Sequence, residues 1–500
     1  MTRRLPLLGA ALLLGAACVS MPPGPPPAHP IRFLSINDVY VADTLGDGLG
    51  GLARVASVRQ RLSELGPVIF VAAGDLLSPS LLGKYYAGRQ MVEALNAAKL
   101  DYATFGNHDF DLAEADLLAR LGESKFKWLS ANCTRADGSA FPNTVPWDTV
   151  RVRNELVGLL GLTMAGPYRR HVRCTDPDSA ARPALAQLEA AGATLVVAVT
   201  HRRMADDLAF LGRERMVQLV LGGHEHAAAD SSRSGRHVLK ADANARSAQF
   251  ATLWGGRDRW QSATRLLRID RTIAFDTAVR PVVDRWRDSL VARLGAPRVV
   301  ARVVAPLDLH DEVQRRTQTA FGSLVTDAIR AGTGADVALL HAGAMRYDDL
   351  LPEGPATNWD VEGIFLFADE TRIVRVPVTG ARLRELLEHG IGQAGSGGYP
   401  QLSGVQLRVA PARPAGGRLV GDVLRPDGTP IAPVARVTLA LPAYLACEGG
   451  DGYRLPEAAE ACAGRDDAPR TVDLLLRHVE ERLGGRIEGR AEGRVILVGG

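Results

Sequence analysis

The chain is poor in the features that mark specialised classes of protein. Aromatic residues make up 5% of its 500 residues, and they do not interleave with a basic cluster. Charge is nearly balanced, with 59 Lys and Arg against 56 Asp and Glu for a net charge of +3. A nucleic-acid partner is therefore not expected, because that surface needs a concentrated basic patch. Nor does the mild charge argue for an anionic membrane. Apart from one Pro-rich stretch there is no low-complexity segment and no internal repeat. The longest apolar run, residues 5–17, is shorter than the roughly 20 residues that a spanning helix needs. Cysteine is scarce, at five in the whole chain. At this length the chain can bury large cores, and two to four domains are the prior.

That apolar run follows Arg3 and Arg4, and the pair reads as an export signal over residues 1–17. Leu14-Gly15-Ala16-Ala17-Cys18 resembles a bacterial lipoprotein signal, which makes Cys18 a candidate lipid anchor. Residues 18–30 would then be an extended Pro-rich tether. The expected location is the periplasm or the outer membrane, with membrane contact only through Cys18. Export permits disulfides. With Cys18 set aside, Cys133–Cys174 and Cys447–Cys462 are possible pairs, and free buried thiols are the alternative.

From residue 31 to about 275, strand-like and helix-like runs alternate. Strands are expected at 31–37, 68–73, 102–105, 195–200 and 217–221. Leu52, Val55, Val58, Leu62 and Leu65 recur at near-helical spacing, and 91–98 reads as a second helix. Continuous apolar strands alternating with helices predict a largely parallel, covered sheet. An Arg-rich helix at 279–294 falls in a connecting region, 276–312. A second α/β block follows at 313–500. Its helices are expected at 321–331 and 382–389, and its strands at 337–340, 373–378, 405–409 and 437–441.

Polar motifs sit at the C-terminal ends of the first-half strands, where open α/β sheets place ligands. They are Asn37-Asp38-Val39-Tyr40, Gly74-Asp75, Gly106-Asn107-His108-Asp109-Phe110-Asp111, Thr200-His201 and Gly223-His224-Glu225-His226. Singly each has an ordinary explanation as a turn residue, a helix cap or a satisfied polar group. Jointly they match a binuclear metal site. Two divalent ions ~3.5–4 Å apart activate water and stabilise displacement at phosphorus. The Asp, Asn and His donors suit Zn, Mn, Fe or Co.

The order and spacing of these motifs resemble the calcineurin-like metallophosphoesterases. Phe110-Asp111 and Ser130-Ala131-Asn132 resemble the 5′-nucleotidase branch. The resemblance implies a β-sandwich flanked by helices, followed by a second α/β domain. It implies that Asp75 bridges two metal ions. Asp38 and His226 would complete one site, and Asn107, His201 and His224 the other. His108 would face the phosphate, oriented by Asp111, and water would attack without a covalent phospho-enzyme. One position departs from the pattern: Tyr40 stands where the family carries His. A phenol ligates poorly unless ionised, so Tyr40 is either a ligand, a hydrogen-bond donor to a metal water, or a packing residue.

The second block resembles the 5′-nucleotidase C-terminal domain through Gly322-Ser323-Leu324-Val325-Thr326-Asp327, Ala335-Asp336-Val337, Tyr399-Pro400-Gln401-Leu402-Ser403-Gly404 and Gly449-Gly450-Asp451-Gly452-Tyr453. There the family binds the nucleoside. The resemblance makes Arg346, Tyr444 and Asp451 the substrate-binding residues, and leaves Tyr399 and Tyr453 as either stacking or core aromatics. His341-Ala342-Gly343-Ala344-Met345-Arg346 and Leu366-Phe367-Ala368-Asp369 depart from the family's turns. The expectation is a monomeric, exported hydrolase of nucleoside phosphates. The altered turns leave open a UDP-sugar hydrolase, a 2′,3′-cyclic phosphodiesterase, a thiosulfohydrolase or a non-catalytic binding protein.

Overall fold

The computed structural model describes residues 30–166, 168–256, 259–347, 350–366, 372–488 and 493–499. The export signal, Cys18, most of the tether, and Phe367 to Asp369 lie outside these residues.

The apolar strands of the first half build two sheets packed on a shared core, the β-sandwich that the resemblance implies, where the strand pattern alone predicts one parallel sheet. The first runs in the order Arg259–Arg268, Ser247–Gly256, Ile31–Ile36, Val68–Ala73, Tyr102–Thr104, Lys127–Leu129, Thr144–Val145. The second runs Ala229–Arg233, Arg236–Lys240, Val217–Gly223, Leu195–His201, Glu155–Thr163, Trp147–Val152. Within each sheet the central strands pair in parallel. The pairs that start from Ser247–Gly256, Ala229–Arg233 and Trp147–Val152 are antiparallel.

Side-chain alternation explains why these strands read as unbroken apolar runs. Phe33, Val71, Val197 and Leu219 point between the sheets and form one core. Leu34, Phe70 and Ala72 point outward, under the helices Leu52–Ser63 and Arg89–Ala97. Leu160, Val196 and Val220 do the same under Pro177–Ala190 and Met204–Arg213. Both faces of each central strand are therefore covered, and period two is lost from the sequence. Leu65, expected on the first helix, lies beyond its end and is exposed.

The helix Arg280–Leu294 connects the halves. The strand Val299–Val303 then pairs with Gly354–Thr357 and with Arg486–Ile487. The fabric of the second half thus begins upstream of residue 313, inside the stretch read as linker. A four-stranded sheet in the order Ile373–Thr379, Arg436–Pro442, Val337–His341, Pro400–Ser403 forms its centre. The strand expected at 405–409 is Leu407–Val409, outside this sheet. The helices Ala320–Thr333 and Thr471–Leu483 pack on one side of the central sheet, Gly380–Gly392 on the other. Both candidate disulfides, Cys133–Cys174 and Cys447–Cys462, are present. Among the described residues no helix is long and apolar enough to cross a membrane.

Candidate metal centre

The motifs meet because the strands that carry them end together. Asp38 follows Ile31–Ile36, Asp75 follows Val68–Ala73, and His201 ends Leu195–His201. All three are buried, and one ligand atom from each lies within 4.8 Å of the others. The backbone is bent sharply to present them. Asp38 (φ 52°), Asp75 (φ 54°), His224 (φ 94°) and His226 (φ 57°) all adopt the left-handed region. For residues other than glycine this is strained, and such strain persists where surrounding structure enforces it, typically at functional sites. Close approach also dictates glycine at two points. A Cβ on Gly106 would sit 2.0 Å from Asp75 Oδ1, and one on Gly223 would sit 2.3 Å from the Ala73 carbonyl oxygen.

His201 donates from Nδ1 to the Ala73 carbonyl at 2.9 Å. Its Nε2 then faces Asn107 Oδ1 at 3.1 Å, Asp75 Oδ2 at 3.3 Å and Asp38 Oδ1 at 3.9 Å. Burial would depress the His201 pKa, but Asp75 and Asp38 outweigh it and push the imidazole up to about 10. Burial likewise opposes the charge on Asp75, yet His201 and His108 hold its carboxylate well below the usual range. Two buried carboxylates, a carboxamide oxygen and an imidazole converge on one point. Such a donor set demands positive charge and suits a divalent cation. The ring of His224 packs edge-on against His201, 5.3 Å between centroids, and burial lowers its pKa to about 4.

His226 lies on the other side, its Nε2 3.5 Å from Asp38 Oδ1. Tyr40 completes this side. Its hydroxyl is 3.1 Å from Asp75 Oδ2, 3.0 Å from His226 Nε2 and 3.5 Å from Asp38 Oδ1. The phenol oxygen therefore occupies the same cluster as the donors, which removes simple packing as its role.

His108 lies beside this cluster. Its Nδ1 is 2.8 Å from Asp111 Oδ2, and its backbone N–H donates to Asp75 Oδ1 at 2.8 Å. Arg346 reaches it from the second half of the chain. Its Nη2 is 2.7 Å from His108 Nδ1 and 3.5 Å from Asp111 Oδ2. Tyr444 and Asp451 have other neighbours. The Tyr444 ring lies tilted against His341, 5.2 Å between centroids, and covers Gly450. Asp451 has its carbonyl bonded by His389 and Gln393, while burial raises its carboxyl pKa. Tyr399 and Tyr453 are core residues, 2% and 1% exposed, and the Tyr453 hydroxyl donates to the Gly398 carbonyl. His341 is buried beside Arg346, and burial drives its pKa down to about 3.

Sequence reasoning passed over three residues that shape this site. The Asp109 carboxylate accepts from the backbone N–H groups of Asp75, Leu76, Leu77 and Gly106, so it ties the Asp75 turn to the Asn107 turn. Burial raises its pKa to about 7. Asn244 accepts from the N–H groups of Tyr40 and Val41 and so fixes the first turn. Lys240 is 1% exposed, and bonds the carbonyls of Arg202 and Gly223 and the carboxylate of Glu225, which joins the turns after His201 and His224. An aspartate inside a polar motif and a lysine ending an apolar strand were the available signals.

The family model for the calcineurin-like phosphoesterase matches residues 31–228, and that for the 5′-nucleotidase C-terminal domain matches residues 299–458. The snake venom 5′-nucleotidase of Gloydius brevicauda is 24% identical, over 98% of this chain and 92% of its own. The structure of a 5′-nucleotidase precursor from Thermus thermophilus superposes with a TM-score of 0.73 at 22% identity, covering 94% of this chain and 99% of that one. The sulfate thiohydrolase SoxB of the same organism superposes at 0.69 and 17% identity, covering 95% and 98%. With both domain models in order along one chain, and a cation-seeking cluster at the strand ends, the protein is a metal-dependent phosphoester hydrolase that joins a calcineurin-like phosphoesterase domain to a 5′-nucleotidase C-terminal domain.

Proposed function

We propose that the protein is an exported, binuclear 5′-nucleotidase that converts a nucleoside phosphate to nucleoside and phosphate. The observation that carries this reading is the meeting of two sets of residues. The Asp38–Asp75–His201 cluster comes from the first half, and Arg346 from the second half stands against His108 and Asp111 at its edge.

In this reading Asp38, His226 and Tyr40 would hold one divalent ion and Asn107, His201 and His224 a second, with Asp75 available to both, and Zn, Mn, Fe or Co as the metals that fit. Ions held there would polarise a phosphoryl oxygen and lower the pKa of water. The chain's own groups do the rest. Asp111 accepts from His108 Nδ1–H and stabilises the charged imidazole. His108 Nε2 then offers a proton to the oxygen on which charge develops. Arg346 places a permanent positive charge beside that pair, where an incoming phosphate would compensate it. Tyr444 and Asp451 are the groups for base and ribose.

Assay of the purified protein loaded separately with Mn and Zn tests the reading. The substrates are AMP, UDP-glucose, a 2′,3′-cyclic nucleotide, thiosulfate conjugated to a protein thiol, and an aryl phosphate. AMP turnover is expected to exceed the rest. No turnover above an Asp75→Asn control would sink the enzymatic reading, and turnover of the aryl phosphate alone would discard the nucleotide.

The two disulfides support an oxidising compartment. With them, residues 1–17 and Cys18 support a periplasmic or outer-membrane lipoprotein. Cys18→Ser is expected to move the protein from the membrane fraction to the soluble periplasm, and unchanged fractionation would count against the anchor.

A further inference from the structure

The two halves of the chain meet at a buried charge. The short helix Leu81–Tyr86 of the first half faces the helix Asn358–Ile364 of the second. Between them Glu362 Oε1 accepts from Lys84 Nζ at 2.6 Å and from the Tyr85 hydroxyl at 2.8 Å, and Arg470 closes on the same oxygen. Lys84 also donates to the Phe365 carbonyl at 2.7 Å. The side chains of Lys84 and Glu362 are 1% and 8% exposed. Burying such a pair is costly, and an apolar contact would hold two surfaces together at least as well. What the ion pair adds is geometry, because each donor accepts one register and no other.

That geometry leads to the site. The backbone N–H of Arg346 donates to the Ile364 carbonyl at 2.7 Å, two residues beyond Glu362 on the same helix. The helix is closed at its other end by a reciprocal cap. Thr357 Oγ1 accepts from the Asp360 N–H, and the Asp360 carboxylate accepts from the Thr357 N–H. It is therefore a capped unit, with Glu362 along its length and the carbonyl that anchors Arg346 at its end. At the far side, the Arg346 guanidinium meets His108 and Asp111. A continuous path thus runs from Lys84 and Tyr85, through Glu362 and Ile364, to Arg346, and back to the half that carries the metal cluster.

We propose that Glu362 is a positioning residue, which sets Arg346 against the His108–Asp111 pair without touching substrate. The proposal rests on the reading of Arg346 as the cation that meets the phosphate. With Glu362 engaged, Arg346 is held at the catalytic edge.

The test compares the full-length protein with Glu362→Gln, Lys84→Met, Arg346→Ala and Glu362→Gln/Arg346→Ala in steady-state AMP hydrolysis. Amide exchange is followed in parallel over residues 342–347 and 72–77. Glu362→Gln is expected to lower kcat/KM roughly tenfold or more, with Lys84→Met giving the same pattern. In the Arg346→Ala background, the Glu362 change should add little, since the residue acts through Arg346. Exchange should quicken over 342–347 and stay unchanged over 72–77. Additive losses in the double variant, or unchanged exchange over 342–347, would overturn the proposal. A parent protein without turnover would refute the nucleotidase reading instead, and the exchange comparison would still decide whether Glu362 positions Arg346.

Discussion

Arg346 Nη2 lies 2.7 Å from Nδ1 of His108, although 238 residues of chain separate them. The same nitrogen of His108 faces Asp111 at 2.8 Å. A guanidinium is always charged, so it competes with the imidazole for the Asp111 carboxylate. Burial opposes that carboxylate, yet His108 and Arg346 hold it below its usual pKa. A substrate phosphate would relieve this crowding, because it offers both cations an anion of their own.

Arg346→Ala is accordingly expected to lower kcat/KM for a nucleoside monophosphate about a hundredfold. Metal content, measured by mass spectrometry of the desalted protein, should not change. Arg346→Lys should recover little of the loss, since an ammonium cannot reproduce the planar fork. An effect on metal content equal to that on turnover would show that Arg346 supports the cluster instead.

Tyr40 touches three of the proposed ligands. Tyr40→Phe should weaken the more weakly held of two metal equivalents about tenfold, in line with the loss of a ligand's partner. Tyr40→His, which offers a neutral nitrogen donor, should tighten it. Calorimetric titration of metal-stripped protein with Zn or Mn reads both. Identical isotherms for all three proteins would remove Tyr40 from the metal site.

Lys240 pairs with the buried carboxylate of Asp207 at 3.3 Å. Lys240→Met should cost about 3 kcal/mol, as expected when one partner of a buried pair is removed. The loss should depend on pH. Burial raises the Asp207 pKa to about 6 despite Lys240. A carboxyl whose folded pKa is raised favours the fold when protonated and loses that contribution as pH climbs through the folded pKa. Without Lys240 the folded pKa rises further. The variant's deficit in urea denaturation should therefore be larger at pH 8 than at pH 5. An equal deficit at both would contradict this account.

Cys447–Cys462 closes a loop with a sequence separation of 15. Replacing both by Ser should destabilise the second half by about 3 kcal/mol through the unfolded chain's entropy. Denaturation followed separately in each half should show this loss in the second half, with the first half's midpoint unchanged.

Much of the metal centre was legible along the chain. The ligand-bearing turns follow apolar strands, and the turn glycines are required where backbone and ligands come within Cβ distance, as at Gly106 and Gly223. Asp109, Asn244 and Lys240 were not legible in the same way. They bond backbone groups of segments far away in sequence, and hydrogen bonds to backbone leave no mark on the partner's residue type. The second sheet was implied by the family resemblance but not by the strand pattern itself. Strands covered on both faces lose the alternation that would tell one sheet from two, and the edge strands carry mixed polar patterns.

Local chemistry thus decided the donor types, the strand ends that bear them and the family pattern, because each depends on a few neighbouring residues. Tertiary structure decided the rest. It placed the Tyr40 hydroxyl among the ligands, sent Tyr399 and Tyr453 into the core, and drew the second half upstream to Val299. It also brought Arg346, whose backbone N–H bonds the Ile364 carbonyl, across to His108. These outcomes depend on which surfaces pack together, and that is settled by burial summed over whole faces rather than by any run of residues.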